Sequence, residues 1–141
     1  MKRLTAPFLV LLVLSVLVAG TTVAFAAINE SAQADLVPAS STYLGASGTA
    51  APKYVVDEIG AEFFAVEAHA SGLLSNAAYQ VWVGGIPVGS GTTDDLGEFV
   101  FASRAAVSFP TLLGLEVWIV EGTDMAGIIA LAGRVTQLAT P

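Results

Sequence analysis

Between Tyr79 and Phe101 the chain reads YQVWVGGIPVGSGTTDDLGEFVF, and every apolar run in it is cut short by glycine or aspartate. A helix needs an uninterrupted stretch of roughly ten residues or more, so such punctuation leaves room only for short strands and tight turns. Gly84-Gly85 can take the positive φ angles of a two-residue hairpin turn, and IPVGSG is then expected to return antiparallel to YQVWV. Pro87 has no amide donor and marks the returning segment as an edge strand. Asp94-Asp95-Leu96-Gly97 forms the next turn: aspartate side chains cap local amides there, and Gly97 takes the left-handed conformation.

The same grammar runs through the rest of the chain. EFFAVEAHA alternates, with Phe64, Val66, Ala68 and Ala70 on one face and Phe63, Ala65, Glu67 and His69 on the other. SGLLSNAA is a turn, and GEFVFASR, LEVWIVEG and GIIALAGRVTQL supply further strands. A helix fits only near Ser103 to Phe109 or in the glycine-interrupted run after Met125. Upstream, residues 27–52 are rich in Ala, Ser, Thr and Gly and poor in large side chains. They suggest an extended tail or linker with at most one strand, around Ser41 to Gly45, ahead of a β domain over residues 53–141.

Several of these positions together resemble a family. Gly72-Leu73, Tyr79-x-Val81-Trp82-Val83, Gly85, Val88-Gly89 and Thr93-Asp94-x-x-Gly97-x-Phe99 look like a small secreted immunoglobulin-like module of bacterial and archaeal surface proteins. The likeness covers roughly residues 60 to 135. It implies an all-β fold, an immunoglobulin-like sandwich of about seven short antiparallel strands, in an extracellular setting. It brings no catalytic residues with it.

Residues 1–26 support export. Lys2 and Arg3 precede an apolar stretch from Phe8 to Ala19, and Ala24-Phe25-Ala26 offers the small-x-small site of a signal peptidase. If the segment is retained instead, it is long enough to anchor the chain in a membrane, which takes about 20 apolar residues. Its removal leaves Lys53, Arg104 and Arg134 against twelve acids, a formal charge of −9. That balance excludes nucleic acid and anionic membrane surfaces as natural partners, because both reward clusters of Lys and Arg. The chain is 55% hydrophobic and has no cysteine, so packing, assembly or a bound ion must replace the disulfides common in small exported proteins. Asn29-Glu30-Ser31 also matches the N-glycosylation pattern.

Few side chains are suited to chemistry. Asp94, Asp95 and Glu98 are the weak candidates for calcium, but the alternating carboxylates that wrap an ion are missing, and turn capping explains them. His69 is the only histidine and follows Glu67 on an outward face, with Ser71 next in register. Successive positions on one strand face are about 7 Å apart, too far for a catalytic row. A non-enzyme is therefore expected. Trp82, Trp118, Tyr79 and Phe63 are the candidates for a contact surface, since neighbouring aromatics on a strand point to opposite faces. The expected role is that of a secreted structural or interaction protein, binding itself or other surface proteins. One version has the segment from Ala34 to Ala51 adding a strand to a neighbour's sheet edge. The alternative is a monomeric binding module for a glycan or small ligand.

Overall fold

Period-two alternation places every second side chain inward, and most strands among the described residues use it. The structure, a computed structural model, describes residues 27–56, 59–105, 109–124 and 126–139. Residues 1–26, where the sequence suggests an export signal, lie outside the described residues. The strands are β1 (Ala27–Ser31), β2 (Ala34–Pro38), β3 (Ser47–Val56), β4 (Glu62–Ser71), β5 (Ala78–Val83), β6 (Ile86–Thr92), β7 (Phe99–Ala105), β8 (Glu116–Glu121) and β9 (Ile129–Arg134), with one 3-10 turn at Ser41–Tyr43. No helix among the described residues is long and apolar enough to cross a membrane.

All pairings between the strands are antiparallel, in the order β6-β5-β8-β9-β2-β3-β4-β7, and β1 pairs with β3 beside β2. The joint of this sheet is β2. Its residues Ala34, Asp35 and Leu36 pair with β3, whereas Val37 and Pro38 pair with β9. The two edges, β6 and β7, curl toward each other. Ser103 Oγ of β7 donates to the Val88 carbonyl of β6 at 2.7 Å, and a Cβ on Gly89 would meet the Phe101 ring at 2.8 Å. The sheet is thus nearly closed, which protects most of its edge from other chains.

The inward set forms one core. Leu36 from β2, Phe64 and Val66 from β4, Tyr79 and Val81 from β5, Phe99 from β7, Val117 and Ile119 from β8 and Leu131 from β9 are all buried in it. Burial of this kind supplies the main stabilising term, about 25 cal/mol per Å² of apolar surface. Gly84 and Gly85 carry φ of 56° and 81° in the β5–β6 hairpin, and Pro87 sits on an edge strand, as the sequence indicates.

Three features differ from the sequence reading. Residues 27–52 are not a tail: they hold β1, β2, the 3-10 turn and the first half of β3, and the segment from Ala34 to Ala51 pairs within its own sheet. The reason is volume. Ala32, Ala34, Ala46 and Ala50 look like linker residues but are buried under larger side chains supplied by other strands. Ser41–Tyr43 is a 3-10 turn, not a strand, and it carries Tyr43 into the core. Nine strands stand among the described residues, against about seven expected. Of the two stretches open to a helix, Ser103 to Ala105 continues β7, and the run after Met125 forms β9.

Candidate interaction surface

Registration across five strands assembles an apolar row on the outer surface. Trp82 of β5 stands directly opposite Pro87 of β6 on one side and Trp118 of β8 on the other. Trp118 in turn pairs with Ala132 of β9, and Ala132 with Val37 of β2. Both tryptophans are half-buried, Pro87 is exposed, and Val37 is 58% exposed. Trp82 Nε1 donates to Gln80 Oε1 at 3.0 Å, which fixes the edge of the indole and leaves the row itself without polar partners. Along the strands, the middle of the row is flanked by the ion pair of Arg134 with Glu116, a cross-strand pair two residues from Trp118 and Ala132.

The other sequence candidates separate from this row. Tyr79 is fully buried and is not a contact residue. Its alternation with Val81 and Val83 carries it inward, where its hydroxyl accepts from Leu74 N at 3.0 Å and hydrogen-bonds the Tyr43 hydroxyl at 3.1 Å. Tyr43 donates to Glu121 Oε2 at 2.6 Å, and desolvation by burial, reinforced by these hydrogen bonds, pushes its phenol well above the usual tyrosine range. Phe63 is on the outer surface of β4, on the other side of the molecule, under the Arg104 guanidinium at 4.7 Å from its ring centroid.

Asp94 serves its own turn. Its Oδ1 accepts from Leu96 N and Glu98 N, each at 2.9 Å, while Gly97 adopts a φ of 79°. A Cβ at Gly97 would fall on the Leu73 carbonyl oxygen, so glycine is required for space as well as for conformation. The same corner is held by Thr93, whose hydroxyl contacts Leu74 O at 2.5 Å and accepts from Ala77 N at 2.9 Å. The motif from Thr93 to Phe99 is thus a clamp between two loops. Asp95 and Glu98 are exposed beside it, and the described residues hold no group of three or more potential metal ligands. His69 is exposed on β4, in a row with Thr49 and Val100.

Sequence reasoning missed Pro87, Ala132 and Val37 as neighbours of the tryptophans. No local signal marks them, because the row exists only through the register of five strands. No protein-family model matches the chain, and no curated protein matches it.

Proposed function

We propose that this chain is a secreted, immunoglobulin-like module of the cell surface that acts by contact with protein surfaces, assembling with copies of itself or with other surface proteins, and has no catalytic role. The observation that carries the reading is the row Pro87-Trp82-Trp118-Ala132-Val37, an outer stripe of apolar side chains crossing five strands. Aromatic residues with few charged neighbours are typical of contact surfaces. The leader pattern of residues 1–26 and the acidic balance agree with export.

The test is mass in solution. The chain, expressed from its full coding sequence and purified as its host processes it, is followed by light scattering over a concentration series. A rising mass is expected, and Trp82→Ser should lower it. A single subunit at every concentration, with no surface protein bound, would remove the reading. The tryptophan pair also favours a second function, stacking on a sugar, because two indoles face one surface in direct register. A change in tryptophan fluorescence with a polysaccharide, in a protein that stays monomeric, would select it.

A further inference from the structure

The outer surface of β3, β4 and β7 carries a second, different pattern. Lys53 of β3 pairs with Ala65 of β4, and Ala65 pairs with Arg104 of β7, so two cations flank an alanine in one row. In the next row Glu67 of β4 stands between Ala51 and Ala102. Neighbouring strands are about 4.8 Å apart, so the two cations are rooted roughly 10 Å from each other with a notch between them. Ala51, Lys53, Ala65, Glu67, Ala102 and Arg104 line one shallow depression.

Two of the three basic residues outside the leader stand in this row. Neither forms an ion pair with a described carboxylate; the ion pair among the described residues is Arg134 with Glu116. Glu67 is exposed and likewise makes no described pair. Three complementary charges therefore stand on one face in a fixed register without satisfying one another.

We propose that this face binds the same face of a second copy about a two-fold axis, each Glu67 seating over the other copy's Ala65 between its Lys53 and Arg104. The inference rests on the self-assembly reading above and adds to the tryptophan row a second contact face, on the β3, β4 and β7 side. The axis runs across the strands, midway between the two rows. Such a rotation reverses strand direction but keeps each strand's lateral place, so the Glu67 row of one copy faces the cation row of the other, and the reverse. The contact is isologous and closes as a dimer. Face-to-face sheets pack at about −30°, which displaces groups one strand from the axis by only about 2.5 Å, within reach of Lys and Arg side chains. The alanines at 51, 65 and 102 let the faces approach. Away from water, a carboxylate held between two cations is attracted more strongly than in an exposed pair, and two partners offset its desolvation cost more fully than one. Seven residues on each of three strands offer roughly 350 Å² per copy, at the transient end of protein interfaces.

The experiment pairs two variants of the full chain, Glu67→Lys and Lys53→Glu/Arg104→Glu, by sedimentation equilibrium from roughly 10 μM to 1 mM, the range suited to small interfaces. Each variant alone should self-associate at least about tenfold more weakly than the wild type, since like charges then meet. Their equimolar mixture should recover association at wild-type concentrations or below. Glu67→Gln, which preserves shape, should weaken the dimer several-fold and guards against loss of folding, as does a matching circular dichroism melt. Association that both variants keep would overturn this face and leave self-assembly by another surface standing. Variants that weaken without recovery in the mixture would also overturn it. A wild-type chain that stays monomeric throughout would overturn the face and self-assembly together.

Discussion

The two outer surfaces of this sheet rest on one core yet present opposite chemistries. On the β5, β8 and β9 side, the outward face centres on Trp82 and Trp118, and the nearby charges, Glu116 and Arg134, neutralise each other. On the β3, β4 and β7 side, the central outward positions are alanines and charges, flanked by Phe63, His69 and Val100. Lys53, Arg104 and Glu67 form no ion pair among the described residues, and Arg104 lies over the Phe63 ring. The inward positions of both sides are alike: Val, Phe, Leu, Ile and Tyr, all buried. The fold is set by what points in, and the identity of each face by what points out. For a single residue type, position then decides the energetic consequence.

Neighbouring phenylalanines on β4 test that statement most sharply. Phe64 is fully buried and packs edge-on against Phe109 at 5.1 Å, while Phe63 lies outward beneath Arg104. Phe64→Ala is expected to cost about 3–5 kcal/mol, the transfer term plus a cavity. Phe63→Ala should cost about 1 kcal/mol or less, the scale of an exposed cation–π contact. Urea unfolding of both variants measures the difference. Equal losses would mean that the outward face of β4 is covered.

Polar groups obey the same division. Inside, Tyr43 joins Tyr79 and Glu121 in a hydrogen-bonded set, and burial holds its phenol protonated beyond the usual range. Unfolded, the same phenol loses its proton near pH 10. The stabilisation from a neutral Tyr43 is therefore complete below about pH 10 and declines as pH rises above it, by up to about 1.4 kcal/mol per pH unit. Tyr43→Phe should remove this contribution, flattening the alkaline limb of a stability–pH curve. An unchanged limb would show that the phenol ionises in the folded chain as it does in the unfolded one.

Much of the frame is legible in the sequence because turn chemistry is local. Gly84-Gly85, Pro87 and the clamp from Thr93 to Gly97 need only their own neighbours to be interpreted. The strands before Pro52 were hidden because small side chains signal a linker when counted alone. Ala34 and Ala50 are strand residues buried in one core with larger side chains from other strands. Tyr79 shows a second limit. Alternation sorts residues into two sets but does not say which set is inside when both carry aromatics, as Tyr79 and Trp82 do. The row of Lys53, Ala65 and Arg104 needs the registers of two strand pairs at once, and these join segments far apart in the chain.

Pairing across strands gives the smallest expected effect and the finest test of the apolar face. Trp82 and Trp118 are directly opposed, and cross-strand aromatic pairs contribute roughly 0.2–1 kcal/mol beyond their separate packing. A double-mutant cycle with Trp82→Ala, Trp118→Ala and both together isolates that term. A coupling near 0.5–1 kcal/mol is expected from urea midpoints at dilute concentration, where the chain is monomeric. On the proposed assembly through this row, the coupling should grow at high concentration, where both indoles would also contact a partner. A coupling independent of concentration would make the pair an element of the fold alone and remove the tryptophan row from the assembly surface.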